Sequence, residues 1–214
     1  MSSLSNSARR SHAERTYESD QKMLCAAVEL ITEKGLENMT LKSVGEIAGY
    51  SRGLAGYRFG SKQGLYEFVM QAIGERWLEQ LNSATSGLRG VEAMRAAVEA
   101  HCDMCLSNDA AVQAFYILWL NAVNPGSDTR EMVINIDRRR QRDVAQWVME
   151  ACTDTGHDGA GRDDAQEIAT QFSAAIIGIV YHWLADTTNL GAVKAQHEQL
   201  IHTMVQLMQP EATS

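Results

Sequence analysis

Apolar side chains recur along most of this chain at intervals of three and four residues, which is the spacing of amphipathic helices. In the first part of the chain, this pattern predicts a helix over 18–34 that ends at Gly35. A long apolar stripe starting at Leu65 predicts a further helix. Five more helices are predicted, over 91–106, 110–123, 128–155, 163–186 and 191–208. Since glycine- and proline-containing stretches separate these segments and no sustained period-two alternation interrupts them, we expect an all-α protein.

The stretch 40–62 predicts two short helices joined by a tight turn. Thr40 can cap the first helix, and Gly49 ends it where a left-handed residue is tolerated. Ser51 can cap the second helix. The exposed face of that helix is predicted to carry Arg52, Tyr57 and Arg58. Two short helices that cross at a glycine-containing turn form a helix-turn-helix, whose second helix enters the DNA major groove.

Residues 21–65 resemble the N-terminal DNA-binding domain of the tetracycline-repressor (TetR) family of bacterial transcriptional regulators. The matching parts, in chain order, are CAAVELITEKG, TLKSVGEIAG, YSRG, LAGYRF and GSKQGL. Because several spaced features agree over about forty-five residues, the match is more specific than any single short motif. The chain departs from the family at Ala55 and Gly56, where the family often has Leu-Tyr.

The resemblance implies that the second short helix and its flanks form a DNA-binding surface. Arg52 and Arg58 are the best-placed groups for guanine edges or phosphates, and Tyr57 for a phosphate or a thymine methyl group. The two capping residues and Lys62 are expected to position the domain rather than to read sequence. The predicted DNA-binding residues are Thr40, Ser51, Arg52, Gly53, Leu54, Tyr57, Arg58 and Lys62.

The apolar residues of 168–184 surround that helix on nearly every side, so it must be buried on every side. Burial by a second copy of the chain is the economical explanation, and the resemblance implies that the last two helices pair with their symmetry mates. Gly178 would allow a close helix approach, either there or within the core of one chain. The predicted dimer interface comprises Phe172, Ile176, Ile179, Val180, Trp183, Ile201 and Met204.

The resemblance also implies a small-molecule pocket in the C-terminal helices. Aromatic and methionine side chains with a few polar groups suit such a site, although at helical spacing they also suit a plain core. The pocket residues predicted on this basis are Met94, His101, Phe115, Tyr116, Trp119, Met132, Ile136, Trp147 and Phe172.

The net charge of −8 is unfavourable for DNA binding if it is taken over the whole chain, but the two parts of the chain differ in charge. Residues 1–66 hold 9 Lys/Arg against 7 Asp/Glu, whereas residues 67–214 hold 10 against 20. Basic character therefore lies with the helix-turn-helix. The predicted organisation is a flexible basic arm (1–17), a DNA-binding domain (18–66), a ligand-binding and dimerisation domain (67–208) and a C-terminal tail (209–214). The arm either is a solvated tail or contacts adjacent phosphates or the minor groove of the DNA.

Four cysteines lie scattered through the helical pattern. His101, Cys102 and Cys105 lie partly on one helix face, but structural zinc needs four ligands and no second cysteine pair follows. We therefore expect these cysteines to pack in the core as free thiols, and we expect neither a bound metal nor a cofactor. No signal peptide precedes the helices, and the apolar run 172–184 is too short to span a bilayer. These observations predict a cytoplasmic, reduced protein with no membrane partner.

No phosphate-binding loop, nucleophile elbow or HExxH motif indicates an enzyme. The leading hypothesis is a homodimeric regulator, most simply a repressor, that leaves a palindromic DNA operator when a small molecule binds. The alternative is a helical small-molecule-binding protein whose N-terminal domain has altered or lost its DNA specificity. Gly56 favours this alternative because a glycine loosens the second helix of the helix-turn-helix.

Overall fold

The computed structural model of the chain describes residues 11–127, 129–154 and 162–208. All regular structure in these ranges is helical, which confirms the all-α expectation. The chain forms two compact units, residues 1–69 and 70–214, so the division falls three residues after the predicted boundary at 66.

The first unit begins with α1 (His12–Glu29), which starts six residues earlier than predicted. Ser11 accepts a hydrogen bond from the Glu14 backbone, and the Glu14 side chain accepts one from the Ser11 backbone. This reciprocal capping box satisfies N–H groups that would otherwise lack partners at the helix start. Residues 12–17, including Arg15, are therefore helical and not part of a flexible arm. Arg9 and Arg10 lie outside the described residues.

A π-helical turn (Leu30–Lys34) ends the first helix, followed by Gly35 at φ +85° and a short 3-10 turn (Leu36–Asn38). The helix-turn-helix follows as α2 (Leu41–Ile47) and α3 (Arg52–Phe59), and α2 packs against both α1 and α3. The fully buried side chains of this unit include Met23, Ala27, Val44, Ala55 and Leu65. Leu65 belongs to α4 (Lys62–Thr85), whose residues from Met70 onward are counted with the second unit.

The second unit contains α5 (Gly90–Leu106), α6 (Ala110–Asn121), α7 (Arg130–Asp154), α8 (Arg162–Ala185) and α9 (Leu190–Met208). Each begins and ends within two residues of its predicted bounds. Helix α8 packs along α7 and against α9, and α5 packs against α7 and α9. Their facing sides form one continuous core that includes Met94, Val98, Val144, Val148, Phe172, Ile176, Leu200 and Met204.

The residues predicted for the dimer interface are buried within a single chain. Phe172, Ile176, Ile179, Val180, Trp183, Ile201 and Met204 are each at most 9% exposed. Their assignment to a surface that a second copy covers is therefore wrong. The sequence argument assumed that one chain could not enclose α8, but α7 and α9 cover much of it. Small and apolar residues still face outward from α8, where Tyr181 is 61% exposed.

Helix α8 is also long and apolar enough to span a membrane, by length and composition alone, over Asp163–Ala185. The core helix of a folded domain passes the same test. Ile176, Val180 and Trp183 point into the protein core, so we interpret α8 as a core helix.

Candidate functional site

Helix α3 separates an inward face from an outward one. Ala55 is fully buried, and the Phe59 ring packs against Phe68 with ring centroids 4.9 Å apart. The outward side carries five of the predicted DNA-binding residues, all exposed: Arg52, Gly53, Leu54, Tyr57 and Arg58. Tyr57 is 90% exposed, which is unusual for a tyrosine and places its ring and hydroxyl in solvent.

The two arginines of this face differ in their surroundings. Within the described ranges, no hydrogen bond or ion pair engages the Arg52 side chain. Arg58 instead forms a two-point ion pair with Asp20 of α1, through its Nε at 2.8 Å and through one terminal nitrogen. Hydrogen bonding to Asp20 raises the pKa of Arg58. Arg52 is therefore available to a ligand at once, whereas Arg58 must first leave Asp20.

The capping residues hold the two reading helices in place. The Thr40 hydroxyl accepts a hydrogen bond from the Ser43 backbone N–H at 3.1 Å, and the Ser43 hydroxyl accepts one from the Thr40 backbone N–H at 2.9 Å. The Ser51 hydroxyl accepts the Leu54 N–H at 3.2 Å. Each cap saturates one N–H at the start of its helix, so their first role is to fix the helix starts.

Lys62 stands at the start of α4, as predicted, but its amine already has partners. The Lys62 Nζ donates to the Leu36 carbonyl at 3.3 Å and lies 5.5 Å from the Tyr66 ring centroid. A contact between Lys62 and a phosphate therefore exchanges one hydrogen bond for another.

Two glycines of this unit lie where backbone atoms would crowd an added side chain. A Cβ on Gly45 would lie 3.1 Å from the Ser51 carbonyl oxygen, so α2 and the turn approach through this position. A Cβ on Gly64 would lie 2.1 Å from the Phe59 carbonyl oxygen. Gly56 is different, because a Cβ there meets no atom within 4 Å. The bend between α2 and α3 and the bend between α3 and α4 therefore depend on close backbone contacts.

A cavity of about 320 Å³ lies in the second unit between α4, α5 and α6. Ile73, Trp77, Met104, Val112, Phe115 and Tyr116 supply its apolar walls, and Arg76, Gln80, Asp103, Ser107 and Asp109 supply its polar groups. Its volume and mixed lining suit a small organic molecule.

Comparison with known proteins identifies the first unit. The family model described as bacterial regulatory proteins, tetR family, matches residues 24–69, which span the end of α1, the helix-turn-helix and the start of α4. The chain therefore carries a DNA-binding domain of the tetR family. The resemblance expected from the sequence is thereby confirmed, and the chain is a DNA-binding transcriptional regulator.

The comparisons extend beyond this domain. The HTH-type transcriptional regulator BetI of Escherichia coli O17:K52:H18 is 24% identical over 168 residues, covering 77% of this chain and 80% of BetI. The SmeT–triclosan complex superposes with a TM-score of 0.71 at 16% identity, covering 91% of this chain and 96% of SmeT. NalD, the secondary repressor of the MexAB-OprM multidrug efflux pump in Pseudomonas aeruginosa, gives 0.67 at 19% identity, covering 90% and 96%. Both structures share the fold of this chain.

The pocket residues predicted from the sequence lie in several places in the second unit. Phe115 and Tyr116 line the cavity. Met94 and Phe172 lie in the main core, with Trp147 packed against it. Trp119 lies under the guanidinium of Arg140, and Met132 and Ile136 are half-buried on α7. The sequence reasoning missed the cavity residues on α4, because a stripe on one helix does not reveal which neighbours leave space beside it.

The predicted residue His101 belongs to a buried hydrogen-bonded chain. His101 Nε2 lies 2.8 Å from the Tyr116 hydroxyl, and His101 Nδ1 lies 2.8 Å from His197 Nε2. The Nδ1 of His197 donates to the Val193 carbonyl at 2.7 Å. Burial, with a contribution from neighbouring positive charge, holds the pKa of His101 well below its usual value, so this ring is neutral. Only the fold brings His197 to this place.

Proposed function

We propose that this TetR-family regulator acts as a homodimeric repressor that binds a palindromic DNA operator and leaves it when a small molecule binds in the α4–α6 cavity. The observation that carries the proposal is the exposed polar face of α3, held on a doubly capped helix-turn-helix. An exposed helix with two arginines and a solvent-exposed tyrosine matches the chemistry of major-groove edges and phosphates.

Arg52 and Arg58 are the residues that we expect to read bases. A guanidinium can donate two hydrogen bonds to the O6 and N7 atoms of guanine, and each such pair discriminates by about 1–3 kcal/mol. Tyr57 is expected to contact a phosphate or a thymine methyl group. The backbone N–H groups near Thr40 and Ser51, together with Lys62, are expected to bind phosphates and so set the orientation of α3.

The outward face of α8 is the surface that we assign to the second copy. Gly178 opens onto unoccupied space and Tyr181 is exposed, with Ile177 and Leu184 half-buried beside them. A small residue flanked by apolar ones permits close contact between two antiparallel helices. A symmetric dimer presents two α3 helices to half-sites about 34–36 Å apart or a near multiple, which requires an inverted repeat.

A molecule in the cavity can affect DNA binding only if it binds one state of the protein more tightly than the other. Couplings of this kind are about 1–3 kcal/mol and are reciprocal, so DNA must weaken effector binding by the same factor. The SmeT–triclosan complex shares this fold, which supports the expectation that a protein of this fold can bind a small organic molecule. A regulator of this kind works where the chromosome lies, in the bacterial cytoplasm.

Selection of duplexes from a random pool by the full-length protein tests the DNA-binding part of this proposal. The expected result is enrichment of an inverted repeat, bound at physiological salt at least about 10³-fold more tightly than random duplex. Arg52→Ala should lower affinity for the selected site by about 5–150-fold and relax the preference at one position of each half-site. Lys42→Ala, on the exposed side of α2, is the matched control for loss of a positive charge.

Enrichment of no sequence would overturn the proposal. It would favour the alternative of a small-molecule-binding protein whose head does not read DNA. Selection of a site without two-fold symmetry would overturn the dimeric arrangement while leaving DNA binding intact.

A further inference from the structure

Three side chains able to bind metals meet inside the second unit: His101 and Cys105 of α5 and His197 of α9. We propose that this trio is a binding site for a transition-metal ion of borderline softness, such as Zn²⁺. Residues four positions apart on a helix share a face, which places His101 above Cys105. The ligating atoms of all three residues lie within 4.8 Å of one another, and all three side chains are buried.

The distances within the trio are close to those that zinc requires. Zinc binds imidazole nitrogens at about 2.0–2.1 Å and thiolate sulfur at about 2.3 Å in a tetrahedral arrangement, so two bound nitrogens lie about 3.3 Å apart. His101 Nδ1 and His197 Nε2 are 2.8 Å apart, and Cys105 Sγ is 3.9 Å from His101 Nδ1. The two nitrogens must therefore separate by about 0.5 Å, and the Cys105 sulfur, which lies within 4.8 Å of both, must approach them to about 3.5 Å.

The outer hydrogen bonds already orient both rings for this role. The Val193 carbonyl can only accept, so His197 carries its proton on Nδ1 and turns the lone pair of Nε2 toward the trio. The far nitrogen of His101 meets the Tyr116 hydroxyl. Metal-binding histidines characteristically use their second nitrogen for such a carbonyl or oxygen partner, which fixes the tautomer and raises affinity.

Metal binding has a defined proton balance in this arrangement. Without the ion, His101 donates from Nδ1 to His197 and accepts from Tyr116 at Nε2. When the ion binds, the His101 proton moves to Nε2 by exchange with water, and Nε2 then donates to the Tyr116 oxygen. The S–H bond of Cys105 breaks, its proton leaves to water and the thiolate bonds the metal. One proton is released per ion, and no oxidant or reductant takes part.

The surroundings both oppose and favour a cation. The positive charge of Arg140 acts on His101 and therefore disfavours binding of a metal cation beside it. The negative charge that Cys105 carries as a thiolate in the metal-bound state offsets the charge of Arg140. An entry route exists as a cleft of about 410 Å³ between α5 and α9, with His197 on its wall. The carboxylates of Glu99, Asp103 and Glu198 line the same cleft together with the cations of Arg95 and Lys194, so three negative charges face two positive ones and the balance weakly favours a metal ion.

The sequence argued against a metal because it showed too few ligands around His101. The fold removes that objection by adding His197, 96 positions away, and by turning Cys102 toward the cleft instead. Three protein ligands leave a fourth position for water or another small ligand, which is the pattern of open zinc sites rather than of closed structural ones.

The test uses the full-length protein stripped of metal and needs no DNA, so its result is independent of the operator proposal. Zn²⁺ is titrated in competition with a chromophoric chelator, and Co²⁺ is added separately to report the ligand set by absorption. The expected result is one ion per chain and a thiolate-to-cobalt charge-transfer band. Cys105→Ala should abolish the band and weaken Zn²⁺ binding by about 100-fold or more, since even an outer-shell change costs about 10–100-fold.

His197→Gln should weaken Zn²⁺ binding to a similar degree, and Tyr116→Phe by about 10–100-fold through loss of the outer contact. Cys102→Ser on α5 and His202→Gln on the exposed side of α9 are matched controls that should bind as the parent does. Circular dichroism of each variant shows that it is folded. Absence of stoichiometric binding, or binding that survives Cys105→Ala and His197→Gln in folded protein, would overturn the proposal.

Discussion

Arg58 on α3 donates from two guanidinium nitrogens to the two carboxylate oxygens of Asp20 on α1, 38 positions earlier in the chain. The Asp20 side chain is mostly buried, at 14% exposure, while Arg58 is 44% exposed. Among the described residues, α3 thus presents Arg52 without an ion-pair partner and Arg58 already paired with a carboxylate. If Arg58 binds DNA as we propose, the DNA must compete with Asp20 for its guanidinium.

Asp20→Asn is therefore expected to strengthen binding to the selected duplex. The change removes the competing carboxylate and a negative charge close to the DNA surface, and we expect an affinity about 2–5-fold higher. Fluorescence anisotropy against salt concentration measures it. Glu18→Gln, two residues earlier on α1, is the control for loss of a negative charge that is paired with Lys22 rather than with an α3 residue. Weaker binding by Asp20→Asn would show that the pair orients Arg58 for DNA rather than withholding it.

Gly56→Ala is expected to stabilise the first unit. A methyl group at this position meets no atom within 4 Å, and alanine is preferred over glycine inside a helix by about 0.5–1 kcal/mol. Urea denaturation followed by circular dichroism measures the change in the free energy of unfolding. If the loosened helix limits DNA binding, the same variant also binds its duplex more tightly. A destabilised Gly56→Ala protein would contradict this account of the site.

Gly45→Ala provides the opposite case on the neighbouring helix. Its methyl group would lie 3.1 Å from the backbone oxygen of Ser51, and a backbone atom cannot move aside as a flexible side chain can. We expect this variant to be less stable than Gly56→Ala by at least about 1 kcal/mol, since overpacking offsets the gain in helix preference. Equal stability of the two variants would show that α2 and the turn before α3 can move apart without a cost in stability.

Gly64→Ala is expected to damage the start of α4 most severely. The Phe59 carbonyl oxygen occupies the position that a Cβ would need, at 2.1 Å, so the corner between α3 and α4 must open. We expect a loss of roughly 3 kcal/mol in the free energy of unfolding, together with loss of DNA binding. Gly53→Ala, whose added Cβ meets only the Ser51 hydroxyl at 3.6 Å, is the control for the stability measurement alone, since Gly53 lies on the predicted DNA-binding face.

Tyr181→Glu tests the assignment of the outward face of α8 to a second copy. A carboxylate at the centre of an apolar contact is costly to bury, so we expect the variant to sediment as a monomer and to lose cooperative binding to the inverted repeat. Ile134→Glu changes an exposed apolar residue of α7 in the same way and should leave the parent's association state unchanged. A parent that is itself monomeric at micromolar concentration, with and without duplex, would contradict the dimer.

Much of the fold could be predicted from the sequence because the signals are local. The apolar periodicity of α5 to α9 gives their bounds to within two residues, and Thr40, Gly49 and Ser51 mark the helix-turn-helix. The start of α1 was also encoded locally, in the Ser11–Glu14 capping box, but the polar composition around it obscured that signal.

The sequence by itself determined that the chain is all-helical and that it carries a TetR-type DNA-binding domain. It also determined which residues α3 turns outward. Spacing of three to four residues controls each of these features. Only the tertiary structure decided that Arg58 is paired with Asp20, that His197 reaches His101, and that Trp183 and Val180 lie inside one chain. Those relationships join residues far apart in sequence. They depend on how helices pack, and periodicity along one helix does not specify its neighbours.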